Sequence, residues 1–357
     1  MGVIAHRCAV LGMPIDHSLS PVLHRAAYAT LNLPDWWYER VEMGQEGLAR
    51  FLSSLDGSWA GLSLTMPLKR TVMLYGEPSD HWSRTLGVAN TVVIDHSPPA
   101  QHGDDAEDAR IENCANHPAL RSRSRLRLFN TDVDGIRLAL IHAWAERGIT
   151  VPGAGDRAGQ LDVVILGNGN TALSALAACS MLSAHLSVRV AARHPEAGAG
   201  LRRFAEMDPR RFDFTTMPLD AVCPALQRAD IVISTLPSHV ADPVARAWGT
   251  SASRPDHRIR NNHATLLDVV YDPRPSALVT QWRRTGGLAI GGEEMLLYQA
   301  MLQVMLMTGK GQRTPQVILP TDSSSLDRSI QVRASSRTPS VDIRLENAMR
   351  TALQEVL

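Results

Sequence analysis

The segment ILGNGNTA at residues 165–172 decides the fold. The run LDVVIL at 161–166, apolar apart from Asp162, leads into it, and a run of small and apolar residues over 171–182 follows. The first reads as a buried strand and the second as a helix, so Gly167, Asn168, Gly169, Asn170, Thr171 and Ala172 form a G-x-G-x-x-A turn between them. In that setting glycines allow a tight turn and close approach of backbone to a pyrophosphate. The helix N-terminus adds N–H donors and a partial positive charge. A plain tight turn in an α/β domain is the competing reading. Outward from the turn, strands are predicted at 187–192, 230–234 and 265–270, with a helix at 201–207. This alternation implies a parallel sheet wrapped by helices. The strand 187–192 ends without an acidic residue for a ribose 2′-hydroxyl, and Arg193 stands ready for a 2′-phosphate, which favours NADP over NAD.

The N-terminal part has its own α/β pattern. Strands are predicted at 7–13, 36–43, 60–65 and 88–94, and helices at 20–31 and 46–55, the first with Ser20 as N-cap and Pro21 in its first turn. Residues 95–127 turn acidic and then basic with few apolar positions, and read as an exposed insertion. Residues 130–134 cap a helix over 134–147, and a last core helix over 293–308 stops at Gly309. After Pro320 the chain is Ser-rich, then offers an amphipathic helix at 341–356 with Leu345, Met349, Leu353 and Val356 in its stripe, to pack on the body, on a partner, or on nothing.

At 357 residues the chain suits two domains, and its 44% hydrophobic content is enough for sizeable cores. Lys+Arg and Asp+Glu are both 36, so no global attraction to nucleic acid or to an anionic membrane is implied. Four scattered cysteines make neither a disulfide framework nor a zinc site, and the histidines, His257 and His263 included, show no metal-ligand spacing, so no metal is expected. The start does not read as a signal peptide, and the apolar stretch 295–307 is too short to span a bilayer. A cytoplasmic protein is expected.

Only two of the 36 cations are lysines, Lys69 and Lys310. Arginine does not give up a proton near neutral pH and lysine does when tuned. Lys69 lies just past a strand end, where α/β proteins place functional loops. Asp132 is a candidate to hold and tune that amine. Ser18 and Ser20 put two hydroxyls beside a helix N-terminus, which suits a small carboxylate. Asn90 and Thr91, like Asn130 and Thr131, read as caps or turns when taken singly. Tyr271 lies at a strand end and Gln299 on the last helix, where core packing and helix polarity are the competing explanations.

Together these segments resemble the shikimate dehydrogenase family. Its G-x-P-x-x-H-S-x-S-P-x-x-H segment is matched by Gly12, Pro14, His17, Ser18, Ser20, Pro21 and His24, and G-x-N-V-T-x-P-x-K by Gly61, Thr65, Pro67 and Lys69. The A-N-T and N-T-D-x-x-G motifs match at 89–91 and at 130–135. D-x-x-Y-x-P matches at Asp268, Tyr271 and Pro273, and G-x-x-M-L-x-x-Q-A at Gly292, Met295, Leu296, Gln299 and Ala300. The resemblance covers about residues 7–312. It implies a substrate-binding domain at 1–133, a Rossmann NADP domain at 134–288, a helix at 289–312 returning to the first domain, and a polar tail at 313–357. The implied reaction is reversible NADPH reduction of 3-dehydroshikimate to shikimate. Lys69 and Asp132 would be catalytic; Ser18 and Ser20 would take the carboxylate, and Thr65, Asn90, Tyr271 and Gln299 the ring. Thr235, Val269, Gly292 and Met295 join the phosphate turn and Arg193 at the cofactor. The partner is thus a small molecule, with a homodimer left open. Three departures stand out. Ser63 replaces the family's asparagine, GNGNTA replaces GAGGAA or GAGGTA, and Ala192-Arg193-His194 replaces N-R-T. They leave open a quinate/shikimate dehydrogenase with relaxed substrate or cofactor choice. A non-catalytic shikimate-binding paralogue is the rival of a different class.

Overall fold

In the computed structural model of the chain, which describes residues 4–96, 125–149, 160–252, 263–310 and 342–357, the strands fall into two six-stranded sheets. The first contains β1 His6–Gly12, β2 Trp36–Glu42, β3 Trp59–Leu64, β4 Glu77–Pro78, β5 Thr91–Asp95 and β6 Arg125–Phe129, ordered β2-β1-β3-β5-β6-β4. Its β5 runs antiparallel to both β3 and β6, and the other pairings are parallel. The second contains β7 Gln160–Leu166, β8 His185–Ala192, β9 Phe212–Pro218, β10 Ile231–Ser234, β11 Thr265–Asp268 and β12 Leu288–Ile290, all parallel, ordered β12-β11-β10-β7-β8-β9. Counted from β7 this is the doubly wound order 3-2-1-4-5-6, and the direction of winding reverses between β7 and β10. The α/β reading with a parallel sheet therefore holds.

The pattern of β7 explains its central place. Val163 and Ile165 enter one core layer, and Val164 and Leu166 the opposite one. Over Val163–Leu166 the strand is covered on both faces and reads as a continuous apolar run, while Asp162 nearer its start pairs with Arg189. The helix Asp132–Glu146 joins the two halves. Its Ile136, Leu140 and Trp144 pack with the second sheet, while Leu138 and Ala139 belong to the core beneath the first. The helix Gly292–Thr308 crosses it closely. A Cβ on Gly135 would lie 2.8 Å from Gln299 Cβ and 3.2 Å from the Met295 carbonyl oxygen, so the crossing needs glycine there.

Four expectations change. The segment 95–127 is not wholly an insertion, because 125–127 begin β6, with Asp95 opposite Arg125 in register. The alternation Arg125, Leu126, Arg127, Leu128 is the mark of a half-buried strand, and only its leucines are buried. Ser20 is not an N-cap. The helix Ser20–Thr30 begins at Ser20 itself, follows Leu19, and has no side-chain cap. Asp132 opens its helix rather than preceding it. The tail helix Ile343–Gln354 packs on the body: Leu345, Met349 and Leu353 are buried against the helices Ser20–Thr30 and Gly292–Thr308, while Val356 is 52% exposed and lies outside the stripe. Arg350 pairs with Glu294 and Glu346, and the Tyr298 hydroxyl donates to Glu346 at 2.9 Å. The readings at 97–124 and 311–340, and His257, lie outside the described residues. No helix among those described is long and apolar enough to cross a membrane.

Candidate active site

The ends of β3, β5 and β6 meet above the first sheet, and each delivers one polar side chain. Beyond β3 the chain turns through Thr65, whose N–H donates to the Leu11 carbonyl at 2.9 Å. It then forms the short helix Leu68–Thr71, which projects Lys69, and the Lys69 carbonyl accepts from the Ala89 N–H at 2.9 Å. Asn90 stands immediately before β5. Its amide oxygen accepts the Thr131 N–H at 2.8 Å, tying the start of β5 to the end of β6. Asn130 Oδ1 accepts the Asp132 N–H at 3.1 Å and sets the first turn of the helix that carries Asp132.

These anchors converge on one carboxylate. Lys69 Nζ donates to Asp132 Oδ2 at 2.6 Å, and Asn90 Nδ2 donates to Asp132 Oδ1 at 2.8 Å. Both oxygens are occupied, and the two side chains of the ion pair are 13% and 5% exposed. The Asn90 amide also reaches Gln299 Oε1 at 3.2 Å. Asp132 takes one ammonium proton of Lys69. The other two remain available to an oxygen in the cleft, the arrangement that proton donation to a developing alkoxide requires.

A cleft of about 320 Å³ opens over this pair. Ser18, Ser20, Thr65, Lys69, Asn90, Asp132, Tyr271 and Gln299 all line it, together with Thr171, Val269, Gly292 and Met295 from the cofactor set. Arg40 Nε holds the Ser18 carbonyl at 2.8 Å, and the Ser20 N–H donates to Ser18 Oγ at 3.4 Å. Burial pushes the Tyr271 phenol above its usual range, opposed by the nearby Arg40 charge, so its hydroxyl stays protonated. Gly292 is obligatory, since a Cβ there would sit 2.1 Å from the Val269 carbonyl oxygen.

The remaining cofactor candidates lie along the turn after β7. Gly167 has φ +103°, a left-handed conformation that favours glycine, and a Cβ there would meet Thr235 Oγ1 at 2.6 Å. The Thr235 hydroxyl is directed back to the Leu166 carbonyl at 2.9 Å, so it braces the turn. Gly169 precedes the helix Asn170–Ser180, which has no side-chain cap, and nothing lies within 4 Å of its Cβ position. The first N–H groups of that helix, on Asn170, Thr171 and Ala172, thus have no intrahelical acceptor, and the open space at the Gly169 Cβ position leaves room for a pyrophosphate beside them. Asn168 Nδ2 donates to the His194 carbonyl at 2.8 Å and holds the turn after β8 in place. Arg193, in that turn, is exposed and has no hydrogen bond or ion pair among the described residues.

The model for the shikimate dehydrogenase substrate binding domain matches residues 10–92. A shikimate dehydrogenase (NADP(+)) of Methanothrix thermoacetophila is 29% identical over 302 residues, covering 84% of this chain and 91% of that protein. The crystal structure of Mycobacterium tuberculosis shikimate dehydrogenase superposes with a TM-score of 0.65 at 27% identity, covering 98% of this chain and 99% of the other. A shikimate 5-dehydrogenase from Mycobacterium fortuitum gives 0.62 at 28% identity, with 99% of each chain covered. These similarities agree with the resemblance to the shikimate dehydrogenase family carried by the motifs.

Beneath the cleft lies a polar layer that was not expected. Gln303 Oε1 accepts from Ser63 Oγ at 2.8 Å and faces His24 Nε2 at 3.4 Å, and its amide donates to Thr91 Oγ1 at 3.2 Å. The Tyr38 hydroxyl donates to Ser63 at 2.7 Å, and the Tyr38 ring stacks on His24 at 3.8 Å. Burial lowers the His24 pKa to about 3, so the imidazole is neutral, with Nε2 as donor to Gln303 and Nδ1 facing the Tyr28 hydroxyl at 3.5 Å. The sequence held one signal for this layer. Gln299 and Gln303 interrupt an apolar helix four residues apart, and so share one face.

Proposed function

We propose that this chain is an NADP-dependent shikimate dehydrogenase that reversibly reduces 3-dehydroshikimate to shikimate in aromatic amino-acid biosynthesis. The observation that carries the reading is the buried Lys69–Asp132 pair, fixed by Asn90, at the floor of a cleft that also meets the phosphate turn. Bound NADPH would supply the hydride to the substrate carbonyl carbon, held by the turn 167–172 and Arg193 and flanked by Val269, Gly292 and Met295. Lys69 donates the proton to the carbonyl oxygen as negative charge develops there, and takes it back in the reverse direction. Asp132 orients the ammonium through the hydrogen bond it accepts from Lys69 Nζ. Ser18 and Ser20 hold the substrate carboxylate, and Thr65, Asn90, Tyr271 and Gln299 direct the ring so that one face meets the cofactor. Residues 1–133 act as the substrate domain and 134–288 as the cofactor domain, with 289–312 returning to the first. The reading places the enzyme in the cytoplasm with a homodimer as its assembly, which light scattering would test.

The decisive experiment is an assay of purified protein with shikimate and with quinate, each with NADP and with NAD. Shikimate with NADP is expected to turn over fastest. Absence of turnover on every pair would refute the enzyme reading and leave a shikimate-binding paralogue. Quinate with NAD as the best pair would refute both substrate and cofactor.

A further inference from the structure

We propose that Arg70, reaching across the cleft from the substrate side, is a second guanidinium for the cofactor's 2′-phosphate and helps set the preference for NADP over NAD. This rests on the NADP reading above. The turn after β8 offers one arginine, Arg193, followed by His194, whose ring faces Glu196 at 3.5 Å. A doubly charged phosphate beside that carboxylate needs more positive charge than Arg193 alone supplies.

The geometry locates the additional charge. Asn168 ties the phosphate turn to the His194 carbonyl, and a Cβ on Gly198 would lie 3.6 Å from Asn168 Cβ. Two residues further on, a Cβ on Gly200 would lie 3.6 Å from Arg70 Nη2. The Arg70 guanidinium thus hangs over the segment that directly follows the Arg193–His194 turn, although Arg70 belongs to the other half of the molecule. It is exposed and makes no hydrogen bond or ion pair among the described residues, so its donors are free. The short helix Leu68–Thr71 therefore presents two consecutive cations to different tasks. Lys69 is held by Asp132 at the reacting centre, and Arg70 extends to the adenosine side of the cleft. A planar guanidinium suits phosphate oxygens through paired N–H donors, and arginine at 70 keeps its charge at every working pH.

The test is calorimetric binding of 2′,5′-ADP and of 5′-AMP to the unliganded protein, which requires no turnover. The two probes share the adenosine and the 5′-phosphate, and only the first carries the 2′-phosphate. For R70Q, affinity for 2′,5′-ADP should fall about ten-fold while that for 5′-AMP changes less than about two-fold, and R70K should recover part of the loss. R193Q should act in the same direction. Circular dichroism and thermal melting of R70Q should match the parent protein, since Arg70 is exposed. If R70Q weakens both probes equally, the guanidinium meets the shared adenosine 5′-phosphate and the proposal falls. If it weakens neither, Arg70 has no part in cofactor binding. If the parent protein itself binds 2′,5′-ADP no better than 5′-AMP, the NADP reading fails and Arg70 with it. A parent preference that survives in R70Q removes Arg70 alone.

Discussion

Acidifying the protein should destabilise it through His24, and the size of the effect follows from its surroundings. His24 is fully buried, stacked on Tyr38, and hydrogen-bonded as a neutral ring between Gln303 and Tyr28. Burial lowers its pKa from 6.5 to about 3. The unfolded chain therefore binds the proton first as pH falls below 6.5, and stability drops by about 1.4 kcal/mol per pH unit until the native ring titrates near 3. Above 6.5 the group has no effect. Over the two units below 6.5 the loss is about 3 kcal/mol. Other groups titrate in the same range. Asp80 and Asp268 have carboxyl pKa values raised by burial, so acid favours their folded state and partly masks the His24 effect. The measurement is therefore a difference. Urea unfolding, followed by tryptophan fluorescence at about pH 7 and about pH 4.5, is compared for the parent protein and His24→Gln. The variant loses packing at both pH values, but its pH dependence should be shallower by about 2–3 kcal/mol. Equal pH dependence in the two proteins would show that His24 is not held neutral and would refute the hydrogen-bond assignment beneath the cleft.

Further predictions concern the site and its supports. Asp132→Asn should lower kcat by ~10²–10⁴-fold, because both carboxylate oxygens accept hydrogen bonds and an amide must face either Lys69 or Asn90 with its N–H group. Lys69→Met should lower kcat over the same ~10²–10⁴ range, and the double variant should be little worse than either single one if the two act as a unit, as steady-state kinetics would reveal. Gly135→Ala should destabilise the protein by about 1–3 kcal/mol in denaturant titration and raise the KM for shikimate, because the added methyl pushes the helix bearing Gln299 away. Deleting residues 341–357 should lower the melting temperature by several degrees, since burial of Leu345, Met349 and Leu353 contributes on the order of 1.5–3 kcal/mol each before the entropy of ordering the helix is subtracted. An unchanged melting curve would mean that the tail helix does not dock in solution.

The second sheet was readable in outline because its code is local. The central strand ends in four consecutive apolar residues, the turn after it needs glycine at 167, and the helix follows at once. Lys69 was readable for a different reason: lysine is almost absent from this chain, and this one stands past a strand end. Edge elements were harder. β9 alternates with Phe212 and Phe214 only partly buried, and β12 spans three residues, so neither strand stands out; the helices Asp242–Ala252 and Ala277–Arg284 are short and, among the described residues, bury only Val244, Ala245 and Trp248, and Leu278, Val279 and Trp282, on their inner faces. β6 was obscured because its arginines were counted as charge and not as the outward half of an alternation. The polar layer below the cleft was not legible in any single segment. Ser63 and Gln303 are 240 positions apart, and nothing local to either indicates that the other is its partner.

By itself the sequence determined the elements whose signals lie within one turn or one strand: the βα phosphate turn, the alternation that makes the second sheet parallel, and the identities of the polar residues that line the cleft. Only the tertiary structure decided their relations. It placed Asp132 against Lys69 with Asn90 on the other oxygen, kept His24 neutral by removing it from water, set Arg70 beside the opposite half of the molecule, and gave the tail helix a place on the helices of the first domain. The physical reason is that backbone conformation depends on nearest neighbours along the chain. Ion pairing, burial and the protonation state that burial imposes depend on neighbours in space, and the chain brings those together only when it folds.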